Sequence, residues 1–360
     1  MATHFFHSDM VGAPTNTNAA GSTLAIIRAV LSTGFNLLTP QSATVAGGVM
    51  TLTYSAPHGY EDKVLLRLDG APGGSVVCRV TASAGSSSLT IPAPGFADGA
   101  VSGSLSTRVA PAGWEEVFTD TGVGVFRSTV IGPGSTRFYY RVSDTASGGS
   151  PGILRGYETM TDVNTGTGPF PTVAQVSGNG LLIPRSTTSS PAEWIAVADQ
   201  RTCYFVLSAG DGTAYPKWFG DQEPLSSVDM FCASVAPTSS THGLTGNGAS
   251  HYSPRSADGV SIGVAQSRSG FAFNSLRTYP SPITGGMLVS RSLTTNEGTT
   301  GDSGVLRGIM RGAVNCSANP VPSGGLFIVL PVVQGVSGRL VVFRDAANTS
   351  AGILVDEDWP

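Results

Sequence analysis

The sequence predicts a mainly β protein: a short N-terminal helix, a small β-sandwich or barrel module, then a larger antiparallel β-sandwich-like domain. Three observations lead there. Glycine occurs 47 times in 360 residues, and with Pro, Ser and Thr it forms clusters that favour turns and strand edges over helix interiors. Between those clusters stand short runs in which apolar and polar side chains alternate, the period of a half-buried strand. Only 12% of residues are charged, against about 25% in an ordinary soluble domain. Surface charge keeps free monomers apart, so the deficit predicts a subunit that covers much of its surface with other chains.

The elements follow in order. Residues 1–39 read as an extended N-terminal arm and a short amphipathic helix. Ser22 or Thr23 caps that helix, Leu24, Ile27, Val30 and Leu31 share one face, and Gly34 stops it. A helix of about three turns is marginal alone and needs a surface to lie on. That surface is expected either in this chain or on a neighbour, where the segment acts as an anchor and the four residues as assembly contacts. Residues 40–110 carry Val49–Tyr54, Lys63–Leu68, Val76–Val80, Ser88–Ile91 and Ser104–Val109, a spacing that suits a small β-domain. Ala110-Pro111-Ala112-Gly113 reads as a boundary. Residues 111–360 form the larger β-domain, with aromatic strands at Arg137–Val142, Glu193–Val197 and Thr202–Leu207. Within it, 237–301 reads as a loop-rich insertion, because Ser, Thr and Gly dominate and periodicity is weak. The strands at Leu326–Pro331 and Leu340–Arg344 precede an acidic end, where Trp359 is expected to dock on a neighbour.

Few function classes survive the motifs. Net charge is −4 and lysine occurs twice, so no basic face for nucleic acid is expected. The N-terminus lacks the basic and apolar regions of a signal peptide, and the apolar run Leu326–Leu330 is too short to span a bilayer. No membrane insertion is expected. Cys78, Cys203, Cys232 and Cys316 are too far apart for a metal-ligand pair and read as buried apolar residues. Gly301-Asp302-Ser303-Gly304 imitates the nucleophile turn of chymotrypsin-like proteases, but Val305 stands where a further glycine is needed, and a plain turn is expected. Asp162-Val163-Asn164-Thr165-Gly166 begins like a calcium loop and then fails, with Gly166 at the third ligand position and Val173 at the closing one. An Asx turn explains it better. His4, His7, His242 and His251 find no third zinc ligand. No catalytic residue, cofactor or metal is expected.

Two stretches nevertheless carry a resemblance. One runs through Ala110–Glu116, Val125–Ser128, Arg137–Asp144 and Arg155–Pro171; the other is the Ala56-Pro57-His58-Gly59-Tyr60 turn with Asp69-Gly70-Ala71. Their order, continued by Trp194–Val206 and the C-terminal stretch, resembles a family of virion structural proteins of tailed bacteriophages. The likeness covers most of the chain except 237–301. It implies a non-enzymatic structural subunit of the tail tip or baseplate, or one that attaches fibres. Its implied partners are other tail proteins and three or six copies of itself, assembled in the host cytoplasm and carried in the virion. Two alternatives remain: a receptor-binding tail protein contacting host surface glycan or protein, and a capsid decoration or neck protein. For the first, Tyr252, Phe271, Phe273 and Tyr279 are candidate host contacts, since exposed aromatics stack on sugars. A wall-degrading enzyme is disfavoured by the sparse carboxylates.

Overall fold

The computed structural model describes residues 2–82, 84–93, 95–132, 134–148, 150–173, 175–176, 180–210, 214–227, 229–236, 250–255, 264–268, 289–290, 293–297, 305–316, 327–330, 339–343, 350–355 and 359. Among them the protein is mainly β, with antiparallel sheets throughout and one short helix. Among the described residues no helix is long and apolar enough to cross a membrane.

Two four-stranded sheets make the small module. Phe35–Leu38, Ser106–Val109, Leu65–Ala71 and Gly74–Arg79 form one, in that spatial order; Ser88–Pro92, Val49–Thr53, Ser42–Ala46 and Gly99–Ala100 form the other. Alternation puts Met50, Leu52, Leu66, Leu68, Leu89 and Ile91 inside. A middle sheet follows, built from Glu115–Asp120, Val123–Arg127, Tyr139–Ser143, Gly152–Met160 and Gly166–Phe170 as neighbours, with Leu181–Ile183 also paired to Gly152–Met160.

The long sheet has ten strands. It begins with the N-terminal segment His4–His7 on Trp194–Ala198 and continues through Thr202–Ser208, Ala214–Asp221 and Ala233–Ala236. Its path then runs through Ser250–Tyr252, Val264–Arg268, Leu293–Glu297 and Val305–Met310 to Glu223–Pro224. Glu223–Pro224 follows Ala214–Asp221 after a single intervening residue, so the last pairing of the path lies next in sequence to a strand near its middle. Within 237–301, Ser250–Tyr252, Val264–Arg268 and Leu293–Glu297 are therefore strands of this sheet. Sequence periodicity missed them because polar strands such as Val264-Ala-Gln-Ser-Arg268 pair through backbone amides without an apolar face to read.

The long sheet is covered on both sides. Trp194, Ala196, Phe205 and Leu207 belong to the main core, which extends from Phe6 to Tyr252 and includes the small module and the helix. Ile195, Val197, Tyr204, Val206 and Trp218 face the other way, onto Val341, Ile353 and Val355 of the C-terminal sheet. That sheet orders Val289–Ser290, Ala313–Cys316, Ser350–Val355, Arg339–Phe343 and Phe327–Leu330. Burial of both faces explains why Trp194–Ala198 and Thr202–Ser208 read as unbroken apolar runs.

The helix is Ser22–Arg28, prolonged by a π turn over Ala29–Thr33. Gly34 ends it with φ 69°, and a Cβ there would run into the carbonyl oxygen of Val109. Leu24, Ile27, Val30 and Leu31 are 0–3% exposed and sit in the chain's own core. The N-terminal arm is likewise held at home, by the pairing of His4–His7 and an Asn16 to Ala192 bridge. The expectation of an anchor reaching a neighbour thus gives way to intrachain packing: the spacing located the face, and this chain's sheets cover it.

Candidate functional site

Among the described residues, most buried charge is committed to holding segments together. Among the described residues the buried carboxylates are Asp144, Asp199 and Asp221. Asp144 accepts the backbone amides of Thr23 at 2.8 Å and Leu24 at 3.1 Å, and its other oxygen accepts the Arg185 guanidinium. It acts as a distant N-cap, supplying what Gly21 at the helix start has no side chain to give. Asp199 accepts the amides of Arg201 and Thr202 at 2.8 Å each, and Arg311 at 2.6 Å. Asp221 accepts the Thr136 hydroxyl at 2.6 Å and Arg201 at 3.2 Å, while burial pushes its carboxyl above the usual range. Each carboxylate uses both oxygens on the scaffold, leaving little to offer a substrate.

The outer face of the middle sheet is different. Cross-strand register aligns Glu115, Arg127, Tyr139 and Tyr157 in one row, and Val125, Arg141 and Arg155 in the next. Directly opposed residues share a face. The alternate row, Phe126, Tyr140, Gly156 and Phe170, points into the core. Arg127 donates to Glu115 at 2.6 Å and to the Tyr139 hydroxyl at 2.8 Å, and its guanidinium lies 5.0 Å from that ring's centroid. Hydrogen bonding from Arg127, reinforced by Arg137, holds the Glu115 carboxyl below its usual range. Arg141 donates to the Val163 carbonyl at 2.6 Å and to Asn164 Oδ1 at 3.1 Å. Arg155 is 8% exposed, and its Nε and Nη2 have no hydrogen-bond partner. The face therefore gathers four arginines, one of them buried, against one glutamate, with two tyrosines opposite one another.

The residues expected to make contacts lie elsewhere. Trp359 is 3% exposed, meets Tyr204 edge-on at 5.7 Å between centroids, and donates to the Leu354 carbonyl at 2.9 Å. Like the helix face, it is absorbed by this chain rather than offered to a neighbour. Tyr252 is 6% exposed within the main core, so its ring is not open for stacking on sugar. Phe271, Phe273 and Tyr279 lie outside the described residues, as does the Gly301–Gly304 turn. His58 is buried, stacks on Tyr60 and accepts that residue's amide at 3.0 Å through Nδ1, which makes it part of a turn. Asp162 Oδ1 accepts the amides of Asn164 at 2.7 Å and Thr165 at 2.9 Å, the geometry of an Asx turn. Among the described residues no three His, Cys, Asp or Glu side chains cluster as a metal site. Cys203, Cys232 and Cys316 are buried free thiols, and Cys78 is half-buried.

Reasoning from sequence missed the arginine face. Its signal was present: period-two spacing puts Arg137, Tyr139 and Arg141 on one side of a strand, and Arg155 with Tyr157 on one side of the next. What spacing lacks is the register that sets those strands side by side. No family model matches this chain, and no curated protein matches it.

Proposed function

We propose that this protein is a non-enzymatic structural subunit of a bacteriophage virion, placed in the tail tip, baseplate or fibre attachment. The observation that carries this reading is the use of buried charge. Asp144, Asp199 and Asp221 are each bound by three or more scaffold donors, so they serve as staples between distant segments. A general acid or base needs an oxygen free to reach substrate, and a retaining or inverting glycosidase needs two such carboxylates across a groove. The low charge of the whole chain, 12%, agrees with a surface covered by neighbours in a symmetric assembly. The resemblance of the 110–171 stretch to tail proteins supports this placement.

Immunogold labelling of intact virions with antibody to this chain tests the placement. Label at the tail end supports it. Label on the capsid shell moves the protein to decoration, and unlabelled virions that also lack the chain by mass spectrometry defeat the reading.

A further inference from the structure

We propose that Arg155 anchors a carboxylate-binding site for an acidic saccharide on the outer face of the middle sheet. This goes beyond the structural role and stands whether or not the chain belongs to a tail.

Arg185, Arg201 and Arg311 are buried, and each meets a buried aspartate. Arg155 is as buried as a core side chain, yet its Nε and Nη2 find no acceptor. A buried cation left unpaired is costly, and proteins keep such groups chiefly where something else supplies the counter-charge. Its directly opposed neighbour, Arg141, is a second cation. Like charges facing across a strand pair repel, which raises the local demand for an anion.

The free atoms define the ligand's shape. Nε and Nη2 form one edge of the guanidinium, where two N–H groups run parallel and match the two oxygens of a carboxylate. This protein uses that edge in the same way elsewhere. Arg28 grips Glu116 through Nε at 2.8 Å and Nη2 at 2.6 Å, and Arg255 grips Glu158 through Nε at 3.1 Å and Nη2 at 3.0 Å. At Arg155 the fork is the same, and no described residue supplies the carboxylate.

Tyr157 follows two residues on, on the same face, and stands opposite Tyr139. Both rings are half-buried. An aromatic face beside a bidentate cation suits a ring that carries a carboxylate: the acid group on the guanidinium, the apolar face of the sugar on tyrosine. A peptide carboxylate or inorganic phosphate satisfies the fork but has no use for the rings. The fork is shielded from water in the unliganded chain, so binding requires neighbouring side chains to move aside.

Calorimetric titration of the full chain with acidic oligosaccharides (oligogalacturonate, oligoglucuronate and oligosialate) tests the proposal. Binding of at least one is expected, with the matched neutral oligosaccharide silent. Arg155→Lys keeps the charge and loses the fork, and is expected to weaken binding about tenfold, the worth of one charge-assisted hydrogen bond. Arg155→Met is expected to abolish binding while its Tm stays level or rises, because an unpaired buried cation has been removed. Arg67→Met, in the small module, is expected to bind as the parent does. Failure of all three acids to bind overturns the proposal, as does equal binding by Arg155→Met. Equal affinity for polyglutamate or inorganic phosphate overturns the saccharide assignment.

Discussion

Asp144 reaches a helix 121 residues earlier in the chain and an arginine 41 residues later. With both partners of the Arg185 pair fully buried, removing one leaves the other charge stranded. Asp144→Ala is expected to cost about 3–5 kcal/mol, read as a drop in urea midpoint with little change in slope. A surface carboxylate such as Glu61, at 38% side-chain exposure beside His7, serves as the comparison and is expected to change stability by no more than about 1 kcal/mol. His4 gives a pH dependence. It is buried, and desolvation holds its imidazole down at about 4, although the Ala110 carbonyl accepts from Nδ1 at 3.0 Å. The unfolded chain takes up that proton near the ordinary 6.5. Between these values the unfolded state binds more protons, so stability is full above pH 6.5 and falls as pH drops toward 4. The loss approaches about 3 kcal/mol. Chemical denaturation at stepped pH checks it: His4→Gln is expected to flatten this limb, and an unchanged slope in that variant would assign the effect to other groups.

At the scale of the element, the helix was legible and its partner was not. Periodicity identified Leu24, Ile27, Val30 and Leu31 as one face and Gly34 as the stop, because both follow from local geometry. Which surface covers that face is a tertiary fact, decided by strands far along the chain, Glu115–Asp120, Val123–Arg127 and Trp194–Ala198. Leu31, with no exposed surface, is expected to cost about 2–5 kcal/mol when changed to Ala. Gly34→Ala is expected to destabilise as well, through positive φ and the clash with Val109. Both are measured by thermal melts of the purified variants. The arginine face was illegible for a related reason. Each strand's alternation can be read, but two faces become one site only when Arg141 and Arg155 fall opposite each other. The strands within 237–301 escaped because a polar strand differs from a loop only in what its backbone bonds to.

For the whole molecule, the mainly β class was legible because glycine-punctuated alternation has few other meanings. The organisation was less so. One core cluster runs from Phe6 through the helix and the small module to Tyr252, so the boundaries suggested by composition do not divide the packing. Unfolding through a single calorimetric transition is expected across that core, and deletion of residues 1–33 is expected to leave an insoluble chain, since it strips the helix and an edge strand from the long sheet. A soluble, well-melting product of that deletion would show that the N-terminal segment is an appendage after all.

The central claim is that this scaffold, poor in charge and stapled by its own buried aspartates, is a virion subunit of the tail. A density map of the intact virion, with this chain fitted, tests it most directly. Three or six copies are expected around the tail axis, joined through weakly charged outer surfaces. Copies scattered on the capsid shell, or a virion that contains none, would contradict it.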